Sequence, residues 1–199
     1  MSAEPAAREP EARESSDEEA IGRVLDGDTE AFAILVRRHE ARVKRLGMSF
    51  FHDAEDTADF TQDVFVKAYT ALASFKGRSL FSTWLLRIAY NTAINSKKRR
   101  REQLSLDPEI EIAGAPGTDE SHLREETSRA VREAMAGLPP RQALCIELYF
   151  YYDLKYSEIG EITGFPVNTI KSHVFRAKRI LRERLESVRE DGDATRNGA

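Results

Sequence analysis

The sequence has a single cysteine, Cys145, among 199 residues. A lone cysteine excludes an intramolecular disulfide and a zinc centre built from several thiolates. The histidines His39, His52, His122 and His173 are scattered and show no metal-ligand spacing. No apolar run reaches the ~18 residues of a membrane span. The acidic N-terminus lacks the hydrophobic stretch of a secretory signal. With 11 Gly and 7 Pro the chain is neither collagen-like nor of low complexity. No alternating strand pattern of useful length is present, so the expected class is all-α. These absences predict a soluble protein of the reducing cytoplasm, with no cofactor or metal. Its length suits one medium or two small domains.

What the chain does have is segregated charge, which its formal net charge of −4 conceals. Residues 1–19 sum to −5 and 102–136 to −6, whereas 76–101 sum to +8 and 167–184 to +5. Two basic blocks separated by acidic chain predict two sites on one polyanion.

The pattern along the chain is helical. Residues 1–16 are poor in large apolar side chains and predict a disordered acidic tail. A short helix should stop at Gly27, with Asp28 capping the next. A third helix is expected from Ala54 to about Ser74, with Phe65, Ala68, Tyr69 and Leu72 as its apolar stripe. A fourth should start after Ser82 and reach the basic run at 97–101. Pro108, Gly114, Pro116 and Gly117 make 102–120 an acidic linker. Helices are expected from Ser121 to Met135, over 140–151, after a cap at Ser157, and from Asn168 to Ser187, with a frayed tail from 189. Two small helical domains result, 17–101 and 121–188.

Three motifs carry chemistry. At 157–179 two helices flank a Gly-containing turn and the second is basic, a helix-turn-helix pattern. Ile159 and Ile162 should pack on Ile170 and Val174. The opposite face then offers Lys171, Ser172, Phe175, Arg176 and Lys178 to a major groove. A plain helical hairpin with a solvated basic face is the competing explanation. The second motif is the loop Phe75-Lys76-Gly77-Arg78-Ser79 with Phe81 and Trp84 after it. It leads into a helix that places Arg87, Asn91, Asn95 and Lys98 on one polar face. Aromatics beside a basic loop suit unpaired bases, which stack on rings while cations hold the backbone. Phe81 and Trp84 serve equally well as core anchors. The third is Asp56, Asp59, Gln62 and Asp63, followed by Phe65 and Tyr69, with Asp59, Gln62 and Asp63 spaced to form one acidic patch. It would repel DNA and so suits a basic protein partner.

Together these residues resemble a bacterial sigma factor of the extracytoplasmic-function (ECF) type. The resemblance lies in DGDTEAFAILVRRHEARV (26–43), TADFTQDVFVKAYTALASFKGRSLFSTWLLRIAYNTAINSKKRR (57–100), LPPRQALCIELYFYYDLKYSEIGEITG (138–164) and FPVNTIKSHVFRAKRILRERL (165–185). It implies a non-enzymatic subunit of RNA polymerase. The N-terminal domain would bind the β′ clamp helices and open the −10 element. The C-terminal domain would bind −35 duplex and the β flap. The linker would run toward the RNA exit path, and an anti-sigma factor would be a partner.

By motif position, Asp59, Gln62, Asp63 and Phe65 would bind polymerase. Phe75, Lys76, Gly77, Arg78 and Ser79 would capture a flipped base. Phe81, Trp84, Arg87 and Asn91 would act in melting, with Asn95 and Lys98 on the same face. Asn168, Thr169, Lys171, Ser172, Phe175, Arg176 and Lys178 would read the −35 element. Asn168, Lys171 and His173 depart from residues common in the family. Two alternatives are a free-standing helix-turn-helix regulator, for which no dimer seam or sensor domain is evident, and a nucleic-acid enzyme, for which no catalytic cluster is evident.

Overall fold

Ser16 starts the first helix. Its hydroxyl accepts the Glu19 N–H at 3.2 Å, and the Glu19 carboxylate accepts the Ser16 N–H at 3.0 Å, a reciprocal cap that satisfies two otherwise orphan donors. The computed structural model describes residues 16–104, 130–131 and 133–196, the side chains of 101–104 and 187–196 excepted. The expected acidic tail, most of the linker and the helix start near Ser121 lie outside the described residues.

Helix α1 is Asp17–Leu25. The Asp28 carboxylate accepts the Ala31 N–H at 3.3 Å and opens a short turn that leads into α2, Phe32–Phe51. Asp53 caps α3, Ala54–Ala71, by accepting the Asp56 N–H at 2.8 Å. A single turn, Leu72–Ser74, separates α3 from the loop before α4, Phe81–Leu104. Leu35, Val43, Leu46, Val64, Leu72, Leu85 and Leu86 are buried and hold these helices as one bundle.

The second bundle contains helical residues at 130–131 and 133–136, then α5 (Pro140–Phe150), α6 (Tyr156–Thr163) and α7 (Val167–Arg196). No strand occurs among the described residues. Gly164 ends α6 at φ +75°, where its N–H donates to the Gly160 carbonyl at 2.9 Å. A side chain would strain that left-handed backbone, so glycine sets the turn of the helix-turn-helix. Ile159, Ile162, Ile170 and Val174 are all buried, as the sequence predicted.

Three boundaries differ from expectation. Lys155, not Ser157, precedes α6, and the Glu158 carboxylate accepts the Lys155 N–H at 2.8 Å. A glutamate in the first turn reaches back there and does the work assigned to the serine. Helix α4 begins at Phe81 rather than after Ser82. Helix α7 runs on to Arg196 instead of fraying from 189.

The two bundles also dock on each other, which the sequence did not indicate. Leu144, Leu148, Tyr152 and Ile159 join the same buried cluster as Leu46, Phe81, Leu86 and Tyr90. Tyr152 is 2% exposed, and its hydroxyl donates to the Arg42 carbonyl at 2.9 Å. The Arg42 guanidinium returns a bond to the Tyr152 carbonyl at 3.0 Å. Beside them, Arg45 lies 3.3 Å from the Tyr151 ring centroid and 3.5 Å from the Glu147 carboxylate.

Candidate nucleic-acid interface

The first surface is built on an aromatic cluster. Phe75 meets Phe81 edge-on with centroids 5.8 Å apart, and Trp84 lies 5.3 Å from Phe75 and 5.6 Å from Phe81. Phe81 is only 3% exposed, which makes it a core anchor and not a stacking platform. Phe75 and Trp84 are half-buried, so each offers one part of its ring to a ligand. Above them Lys76, Gly77 and Arg78 are exposed and Ser79 is half-buried. Gly77 sits at φ +66°, so the tight loop needs a residue without a Cβ.

Helix α4 continues this surface. Arg87, Asn91, Asn95 and Lys98 are all exposed, while Leu85, Ala89, Tyr90 and Ala93 are buried on the other side. The polar face is therefore available from the loop to the basic end of the helix. Amides present both donors and acceptors to base edges and arginine presents a planar cation. The arrangement can hold unstacked bases and their phosphates.

The second surface is α7. Asn168, Lys171, Ser172, Phe175, Arg176 and Lys178 are exposed and Thr169 is half-buried. Phe175 is 68% exposed, an apolar ring placed to meet an apolar group such as a thymine methyl. Lys178 is held over the Tyr149 and Phe150 rings at 4.9 and 4.7 Å. His173 lies at the helix edge against Phe165, with centroids 6.2 Å apart, and neither ring nitrogen has a hydrogen-bond partner. Partial burial, then the charges of Arg141 and Arg176, hold its pKa below the usual histidine range.

The third surface lies on α3. Asp59, Gln62 and Asp63 are exposed and share a cleft of about 450 Å³ with Asp56, Phe51, Phe60, Ser96, Arg99 and Arg100. Arg100 pairs with Asp56, so part of the acidic patch is answered from within the chain. Phe65 is 7% exposed and packs on Phe32, with ring centroids 6.4 Å apart. It contributes mainly from beneath the surface. Sequence reading missed the groove on the other side of Gln62. That groove, about 720 Å³, is lined by Phe32, Val36, Phe65, Val66 and Tyr69 between α2 and α3. Val66 and Tyr69 are 58% and 43% exposed.

Among the described residues no group of three or more His, Cys, Asp or Glu is placed to hold a metal. No helix among them is long and apolar enough to cross a membrane. Cys145 is buried, and burial pushes its thiol up to about 12, far from a reactive thiolate at neutral pH.

Comparison with known proteins adds the following. Residues 35–103 match sigma-70 region 2 and residues 128–181 match sigma-70 region 4. The RNA polymerase sigma-H factor of Pseudomonas aeruginosa is 31% identical over 187 residues, spanning 88% of this chain and 96% of the relative. The ECF RNA polymerase sigma-E factor of Escherichia coli is 34% identical over 184 residues, spanning 87% and 96%. Among solved structures, the sigma factor RpoE of Bartonella quintana, in complex with the anti-sigma factor NepR, superposes with a TM-score of 0.64 at 22% identity. That match covers 78% of this chain and 96% of the other. CnrH, solved with the cytosolic domain of CnrY, gives 0.62 at 21% identity, covering 87% and 99%. At such identities the structural likeness establishes the fold.

Proposed function

The chain belongs to the extracytoplasmic-function family of RNA polymerase sigma factors, and from that premise we propose how its three surfaces divide promoter recognition. As an alternative sigma factor it binds core polymerase and directs initiation at its own promoters. The loop 75–79 with the α4 face Arg87, Asn91, Asn95 and Lys98 captures non-template bases of the −10 element. Helix α7 reads the −35 duplex through 168–178. Asp59, Gln62 and Asp63, with the apolar groove beside them, receive the β′ clamp helices, and the second bundle meets the β flap. The protein does no chemistry of its own and works in the cytoplasm. The observation that carries this division is the continuous exposed polar face of α4, set directly beside a loop on an aromatic base. Unstacking a base costs a few kcal/mol, so a ready surface for the extruded base biases the duplex toward opening. An anti-sigma factor is a further proposed partner, by analogy with the Bartonella quintana complex.

Reconstitution with core polymerase on a promoter library tests the reading. Run-off transcripts should be promoter-selective, and core enzyme alone should give none of that selectivity. Asn91→Ala is expected to slow promoter opening about tenfold, in line with the ~1–3 kcal/mol of a good amide–base hydrogen-bond pair, with core affinity unchanged. Equal losses in both would refute the division of labour. Asp59→Arg and Asp63→Arg should each weaken core binding at least about tenfold, through like-charge repulsion at the interface, while circular dichroism stays that of the wild type. Normal core binding by both would remove the acidic patch from the polymerase interface.

A further inference from the structure

We infer that Asp17 and His39 are positioning residues for the base-capture loop, acting through Phe81 and not by touching DNA. The inference rests on the proposed role of that loop. Asp17 is the first residue of α1, and its carboxylate accepts from two successive residues of α2. One oxygen takes the Arg38 guanidinium, and the other lies 2.8 Å from His39 Nε2. A carboxylate only accepts, so Nε2 carries the proton.

His39 is 5% exposed and Nδ1 has no partner, so the bond to Asp17 is the interaction that fixes the ring. That ring packs against Phe81 at a tilt of 60°, with centroids 5.3 Å apart. Phe81 in turn contacts Phe75 and Trp84 at 5.8 and 5.6 Å. Phe75 is the residue from which Lys76-Gly77-Arg78 springs. An unbroken series of contacts thus runs from the start of α1 to the loop. Without Asp17 the imidazole is left buried with two unpaired nitrogens, and it must turn or draw in water. Either movement unseats Phe81 and loosens the loop. A loose loop orders itself at the cost of base affinity, whereas a fixed one does not.

The test uses the full-length chain, in reconstituted holoenzyme for promoter opening and alone for emission from Trp84, the only tryptophan of this chain. Asp17→Ala and His39→Leu should open a duplex promoter about tenfold more slowly, the scale of one charge-assisted hydrogen bond. Core affinity should stay within about twofold, and the Trp84 emission maximum should shift. Asp17→Asn keeps an acceptor oxygen and should recover most of the opening rate. Val43→Ala cuts a fully buried side chain of α2 and serves as a control for general destabilisation. It should leave both opening and Trp84 emission near wild type. Opening at the wild-type rate by Asp17→Ala, or an equal slowing by Val43→Ala, would overturn the inference. A wild-type holoenzyme without promoter selectivity would instead sink the proposed function itself.

Discussion

Tyr152→Ala is expected to lower the unfolding free energy by about 4 kcal/mol, the range for deleting a large buried aromatic. The ring is 2% exposed and lies where the second bundle meets α2. Its hydroxyl and carbonyl both bond to Arg42, 110 residues away in sequence. Removing the ring therefore leaves a cavity and an unanswered Arg42 carbonyl at the same place. Tyr152→Phe keeps the packing and loses one hydrogen bond, for about 1 kcal/mol. Urea denaturation separates the two variants by midpoint. Small-angle scattering should also show a larger radius of gyration for Tyr152→Ala as the bundles part. A loss below about 1 kcal/mol with unchanged dimensions would mean that the docking seen here is not a stable part of the free protein.

Glu147 gives the second large effect, and it depends on pH. The side chain is 8% exposed on α5 and faces Arg45 and Ser49 of α2, with Tyr152 alongside. At 3.5 Å the carboxylate and Arg45 attract without forming a hydrogen bond. Burial pushes its carboxyl up to about 7, and the opposing pull of Arg45 is the smaller influence. The folded protein thus holds this proton more tightly than the unfolded chain, where the group titrates near 4.5. The resulting stability is complete below pH 4.5 and is lost as pH rises through about 7. The gap between those two values corresponds to about 3 kcal/mol. Glu147→Gln should therefore be more stable than wild type at pH 8 and nearly equal to it at pH 5. Parallel urea titrations at the two pH values measure this, and identical pH slopes in both proteins would refute it.

The helices were legible from local chemistry. Asp28 ahead of an apolar stripe and Gly164 between two short amphipathic helices act within a few residues of chain, where spacing alone decides hydrogen bonding. The polar face of α4 was legible for the same reason, since a helical period fixes which residues share a side. Phe81 was not. An aromatic beside a basic loop suits base stacking or core packing equally well, and its burial depends on His39 of α2, far away in sequence. The exposed apolar groove was hidden because Val66 reads as a routine helical residue until α2 forms the opposite wall.

The run Tyr149-Phe150-Tyr151-Tyr152 shows where local information ends. Four consecutive large aromatics carry no periodic contrast, yet Phe150 is 60% exposed, Tyr151 47% and Tyr152 2%. Residue order and type set the all-α class, the two bundles, the helix-turn-helix and the separated basic surfaces, because each arises from contacts along one helix or across one turn. Which aromatic is buried, that Glu147 loses its water, and that the bundles share a core depend on where α2 lies against α5. That placement depends on long-range packing, to which hydrophobic contact contributes area without direction, so only the folded chain specifies it.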